Sequence, residues 1–387
     1  MRTSKVGATL ARPKRRRRLP PRLRRASIAL AVVGGLCLGG VVAASAGQPV
    51  PNAAEGAPRI SRMSKDGQAS ITWVGDTLLG DAGQPFIDQN SLAWPAARVP
   101  LPKDSDVVIA NAEGPFTDHA GLADPLQKYS YKAQPRTAAA FAAFGIDAVS
   151  LSNNHVMDYG APGMLDTIAN AEKAGLRTFG AGATREQARL PLMIETDIGT
   201  IGVVGLSDDS GPNIARSDRP GVHQLNAASV ADGIKLARRA GADYVVAHVQ
   251  WGEGYAPVDA RQRAFAAALA AAGYDLIIGL HPHVVQPIEI VRGVPVLYSL
   301  GNYVFTTPGR FTDAAPGFGL IVTTEFRASG RMVITMKCIQ TDNEVVSFQP
   351  RPCDSSQTQA LLGSLNPKVV VRGDVATLNV PLRSRPS

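Results

Sequence analysis

Two histidines one residue apart, His281 and His283, close the stretch Gly279-Leu280-His281-Pro282-His283, directly after the apolar run Tyr274-Asp275-Leu276-Ile277-Ile278. Imidazole is the commonest metal-ligating side chain, and a rigid strand end fixes its direction. Taken alone, the pair reads equally well as two polar residues in a surface turn. Partners supplied by distant segments would decide for a metal.

Such segments exist. Gly75-Asp76 ends the apolar run 69–74, and a carboxylate at a strand's carboxyl end suits metal or phosphate work, although a turn-forming Asp is the commoner case. Residues 106–110 run into Asn111-Ala112-Glu113-Gly114-Pro115, where Asn111 and Glu113 share one face by the period of two. Residues 147–151 run into Ser152-Asn153-Asn154-His155, and polar residues there are costly unless they bind something. Residues 243–247 lead to His248, Gln250, Trp251 and Glu253. Of six histidines, four (His155, His248, His281, His283) fall in these clusters.

The elements that must position them alternate between strand and helix. Helical patterns at 135–144, 162–174, 228–240 and 257–272 separate the apolar runs, which makes this an α/β protein. In layered sheets of that kind ligands bind at the strands' carboxyl ends, so five clusters in the same relation to their strands converge on one site. Hairpins are expected around Asp197-Ile198-Gly199, Arg292-Gly293 and Ser329-Gly330, and residues 375–380 could form a last strand.

The ordered motifs Gly75-Asp76, Asn111-Ala112-Glu113-Gly114, Asn153-Asn154-His155, Trp251-Gly252-Glu253, His281-Pro282-His283 and Ser299-Leu300-Gly301-Asn302 resemble the CapA family of poly-γ-glutamate capsule synthesis proteins. The likeness covers about residues 70 to 340. It implies a calcineurin-like metallophosphoesterase fold, a layered β-sandwich flanked by helices in four α/β/β/α layers. It further implies one or two divalent ions (Mn, Fe, Zn or Mg). Asp76, Glu113, Asn154, His281 and His283 would be ligands, and His155 would face the substrate as general acid. Asn111, Asn153, Gln250, Trp251, Glu253 and Asn302 are assigned to substrate contact. The chain departs from the pattern twice: Leu78 stands where metallophosphoesterases carry a histidine, and Gln250 stands where CapA-like chains often do. His248, two residues earlier on the same strand face, is assigned the missing ligand role. The implied function is synthesis or export of poly-γ-glutamate or a related anionic envelope polymer, as a metal-dependent hydrolase or as a non-catalytic subunit of a membrane synthase.

The net charge of +8 misleads. Residues 1–25 hold eleven Lys/Arg and no acid; without them 29 basic residues face 32 acidic ones. The basic run therefore belongs to a tail, and the uncharged stretch 26–46 beside it argues against nucleic acid as its partner. That stretch is long enough to span a bilayer. The arginines would stay cytoplasmic, placing the rest outside the cell membrane as a single-pass protein. Cleavage at Ala44-Ser45-Ala46 would instead make it a secreted one; the length of the run favours the anchor. Residues 47–68 read as a linker, 69–345 as the CapA-like domain and 346–387 as a C-terminal extension. In an oxidising compartment Cys338 and Cys353 are expected to pair, with unpaired buried thiols as the alternative.

Overall fold

The computed structural model describes residues 56–64 and 67–383. Two sheets carry the fold. The first has seven strands in the order Arg59–Ser61, Leu192–Thr196, Gly199–Ser207, Tyr244–Gln250, Leu276–Leu280, Val294–Leu297 and Ile288–Val291. In the second, the main path runs Val370–Arg372, Val375–Pro381, Arg331–Gln340, Phe318–Arg327, Gln68–Leu78, Val107–Ala112, Ala148–Ser150 and Arg177–Phe179. Asn302–Phe305 and Arg351–Pro352 add to that sheet beside Gln68–Leu78 and Arg331–Gln340.

The apolar runs are continuous rather than alternating because these strands are covered on both faces. Ile71, Trp73 and Ile109 of one sheet share a core with Ile194, Val203, Val246 and Ile278 of the other. Behind the larger sheet, Val108 and Ala110 pack on Phe141 and Met164 of the helices Ala138–Ala143 and Gly160–Lys173. Behind the smaller one, Val204, Ala247 and Val249 pack on Ala237 and Leu269 of Ala227–Arg239 and Ala260–Ala272. The order of layers is α/β/β/α, as expected. Asp259 and Gln262 form a capping box that starts Ala260–Ala272, and Gly273 (φ 107°) ends it.

Both sheets are parallel where they carry the polar clusters. Gln68–Leu78, Val107–Ala112 and Ala148–Ser150 run side by side in one, Tyr244–Gln250 and Leu276–Leu280 in the other. Their carboxyl ends open at the same edge of the sandwich. Gly75 lets the chain after Leu300 cross there: a Cβ at Gly75 would sit 1.9 Å from the Gly301 carbonyl oxygen. Asp76 is thereby paired on both sides, with Asn111 and with Asn302.

Two boundaries are corrected. The expected linker 47–68 already contains an edge strand: Arg59–Ser61 pairs in parallel with Leu192–Thr196 and buries Ile60. The expected C-terminal extension is part of the larger sheet, because Val375–Pro381 pairs with Arg331–Gln340 along seven residues. A helix, Ser355–Ser364, lies between them, started by a capping box of Asp354 and Gln357. The basic tail 1–25 and the apolar stretch 26–46 lie outside the described residues. Among the described residues no helix is long and apolar enough to cross a membrane.

Cys338 and Cys353 form a disulfide across a separation of 15 residues. It ties the strand Arg331–Gln340 to the segment that starts the last helix. A loop of that length is worth about 3 kcal/mol in the chain-entropy account. Replacing both cysteines by serine should lower the unfolding free energy by about that amount, read by chemical denaturation under non-reducing conditions.

Candidate metal centre

The parallel strand ends bring together Asp76, Asn111, Glu113, Asn154, Gln250, His281, His283 and Asn302. Asp76 and Glu113 are fully buried, at 0% exposure each. Burial raises the pKa of Asp76, and it raises that of Glu113 well above the usual range, with the Asp76 charge adding to the effect. Two neighbouring carboxylates in a dry cavity are costly without positive charge. Hydrogen-bond donors surround them: Asn111 Nδ2 donates to Asp76 Oδ1 (2.8 Å) and lies 3.3 Å from Glu113 Oε2, and the His281 backbone N–H donates to Asp76 Oδ2 (3.0 Å).

His283 Nδ1 lies 2.9 Å from Asn302 Oδ1, an oxygen that can only accept. The proton is thereby fixed on Nδ1, and the Nε2 lone pair is left 3.7 Å from Glu113 Oε1. One ligand atom each from Glu113, His281 and His283 lie within 4.8 Å of one another. Burial lowers the pKa of both imidazoles to about 4, so they are neutral and able to ligate at pH 7. Gln250 Nε2 marks where positive charge is wanted: Glu113 Oε1 (3.4 Å), Asn154 Oδ1 (2.9 Å) and His281 Nδ1 (3.1 Å) all converge on it. An acidic and imidazole donor set with this burial fits a hard or borderline divalent cation.

The loop that presents the two histidines is strained. His281 and His283 have φ of 93° and 58°, in the left-handed region that non-glycine residues avoid at about 1–2 kcal/mol each. The Asp76 carboxylate holds the first of them, Asn302 the second, and the Tyr255 N–H donates to Pro282 O between them (2.7 Å).

Beside this centre, His155 Nδ1 is 2.9 Å from Asp158 Oδ2. The same oxygen accepts the Tyr131 N–H (2.7 Å), and Oδ1 accepts from Gln127 (2.7 Å). Asp158 is an acceptor throughout, so His155 keeps its proton on Nδ1 and presents Nε2. This carboxylate partner was not singled out as a site residue in the sequence, although the spacing of three within one turn was a usable signal.

Several assignments are corrected. His248 is not a ligand. It lies one pleat below Gln250, between the sheets, with ring centroids 6.1 Å from Trp73 and 5.7 Å from Phe179. Its Nε2 has no hydrogen-bond partner, and burial lowers its pKa to about 3. Trp251 faces the opposite side of the sheet, donating to Tyr298 O (2.8 Å) at 1% exposure, and cannot meet substrate. Asn153 is likewise enclosed: it donates to Asn111 Oδ1 and Ala112 O and accepts from the N–H groups of His155 and Val156. Asn111 and Asn302, both buried, brace the carboxylates and His283 rather than touching substrate. Glu253 is exposed on the loop beyond. Leu78 packs with Tyr131 and Phe305, so that side of the centre is apolar.

Two outcomes follow. Asn302→Leu should weaken divalent-metal affinity by about 10- to 100-fold, and His283→Ala by at least as much, both read by metal titration of the purified protein. His248→Leu should leave metal affinity unchanged. Because the folded-state pKa of His248 lies below its unfolded value of 6.5, the unfolded chain binds the extra proton as the pH falls. Stability is intact above pH 6.5 and is lost on acidification toward pH 3, with His223, lowered to about 4 by burial, acting in the same sense. Denaturation midpoints from pH 7 to pH 4 should therefore fall less steeply in His248→Leu.

Residues 70–307 match the family model described as bacterial capsule synthesis protein PGA_cap. The chain is 32% identical over 253 residues to the PGA biosynthesis protein CapA of Bacillus subtilis, covering 64% of this chain and 66% of that one. It is 31% identical over 244 residues to the capsule biosynthesis protein CapA of Bacillus anthracis, covering 61% and 59%. These matches thus span somewhat less than two thirds of each relative's length. Among solved structures, a calcineurin-like phosphoesterase, YfkN from Bacillus subtilis, aligns with 82% of this chain and 93% of its own at 14% identity and a TM-score of 0.37, too remote to bear on the chemistry. With its family match covering more than half of its length, this chain belongs to the bacterial capsule synthesis protein PGA_cap family.

Proposed function

We propose that this chain acts on poly-γ-glutamate, or a related anionic envelope polymer, as a metal-dependent hydrolase held at the outer face of the cell membrane by residues 26–46. The observation that carries the reading is the meeting of Glu113, His281 and His283 at one buried point beside the His155–Asp158 pair. The names of the Bacillus relatives support the polymer class.

Glu113, His281 and His283 would hold one divalent ion, Mn, Fe, Zn or Mg, with Asp76 and Asn154 adjoining. When bound, such an ion supplies Lewis acidity toward an amide or phosphoryl oxygen and lowers the pKa of a water molecule. The protein's own groups do the rest. Asn302 and Asp76 hold His283 and His281 in the strained loop, so that ligand direction is set before anything binds. With its Nδ1–H held by Asp158, His155 would take a proton from the attacking water at Nε2 and pass it to the leaving nitrogen or oxygen. A side chain only 9% exposed does so from a largely water-free position.

A second reading, a non-catalytic polymer-binding subunit of a membrane synthase, draws on Leu78. Its apolar packing removes a ligand from one side of the centre and favours a single ion over two. Turnover separates the readings. The metal-loaded full-length protein should cleave poly-γ-glutamate or a model phosphodiester, and His155→Ala should lower kcat by about 10²- to 10⁴-fold while retaining metal. Metal and polymer binding without turnover on either substrate would leave the subunit reading standing and sink the hydrolase.

A further inference from the structure

Arg310 lies on the loop after Asn302–Phe305 and was not marked by any motif. Its guanidinium carbon is 4.9 Å from the Tyr129 ring centroid and 4.7 Å from that of Tyr255. Tyr255 in turn lies 5.4 Å, ring to ring, from His283. Arg310, Tyr255 and His283 thus form a continuous path from the exposed rim to the centre. Arg310 is exposed, and among the described residues its hydrogen bond to a side-chain oxygen beyond Tyr255 is a long one, 3.4 Å to the Tyr129 hydroxyl. Among the described residues no carboxylate pairs with it.

A second cation shares the same ring. Lys128 Nζ is 5.0 Å from the Tyr129 centroid, and it too has no carboxylate partner among the described residues. Both cations add positive charge beside the Tyr129 ring, which favours an anion there. The two rings hold the guanidinium plane in place, so its fork of N–H donors is pre-oriented and little freedom is lost on pairing. A planar, bidentate anion such as a carboxylate matches that fork.

We infer that Arg310, oriented by Tyr129 and Tyr255 and assisted by Lys128, is the specificity-determining residue of this site and binds the free carboxylate of a polymer carboxylated beside each amide bond. This rests on the polymer reading above. In a γ-linked glutamyl chain every amide nitrogen is borne by a carbon that also carries a carboxylate. A substrate whose amide reaches the metal centre therefore brings a carboxylate to the rim alongside it. The selection is for charge next to the bond, exercised before the bond is engaged.

The test is equilibrium binding of the metal-loaded full-length protein in detergent to poly-γ-glutamate, to its uncharged amide poly-γ-glutamine, and to polyphosphate. Arg310→Gln should weaken poly-γ-glutamate binding by about tenfold and leave poly-γ-glutamine unchanged. Arg310→Lys should fail to restore it, because an ammonium keeps the charge and loses the fork. Lys128→Gln should show a smaller loss. Metal content and melting temperature should match the wild type in all three variants, since these side chains are exposed. Wild-type affinity in Arg310→Gln, an equal loss toward poly-γ-glutamine, or a larger loss toward polyphosphate would each overturn the assignment. A wild-type protein that binds metal but neither polymer would overturn the polymer reading itself, and this inference with it.

Discussion

Two carboxylates with no access to water, Asp76 and Glu113, set the terms for everything around them. Each alone would be expensive to bury; side by side they demand donors and a cation. The amides of Asn111 and Gln250 are the answer in hydrogen bonds, and the imidazoles of His281 and His283 are the answer in ligand atoms. The backbone bends to the same demand. The His281 N–H reaches Asp76 only because that residue adopts a left-handed conformation, a strain offset by the carboxylate it satisfies. The centre is therefore built as one unit, its carboxylates, amides and imidazoles braced by one another.

Much of this was legible in the sequence because the signals were strand ends. Buried strands appear as apolar runs, and a polar residue directly after such a run must emerge at the sheet's edge. Asp76, Glu113, Asn154 and the His-Pro-His segment were found that way, and the order of the motifs supplied the family. The α/β alternation followed from the same runs, and the hairpins from their turn residues.

The failures have equally physical causes. Periodicity gives the face of a strand but not the depth along it. His248 shares a face with Gln250, yet two residues back is roughly 7 Å lower, inside the inter-sheet core. Trp251 was misassigned although the period of two already placed it opposite Gln250. Arg59–Ser61 contributes one buried side chain, too few to show a period, so it passed for linker. Asn153 reads as a substrate contact because a fully satisfied buried amide and an available one are identical as letters. Arg310 sits in an aperiodic loop, where only the folded chain reveals which rings it meets.

The larger sheet has a topology with a temporal side. Its strand Gln68–Leu78, which carries Asp76, is flanked by Val107–Ala112 and by Phe318–Arg327, a partner some two hundred and fifty residues further along the chain. Asn302 and the strand that completes the sheet come equally late. A growing chain meets Asp76 and its donor Asn111 early, and the His281 N–H that holds the other carboxylate oxygen 205 residues later. Closing such distant pairings is slow by its loop entropy. The polar cluster at the strand ends is thus completed only when those late strands join the sheet.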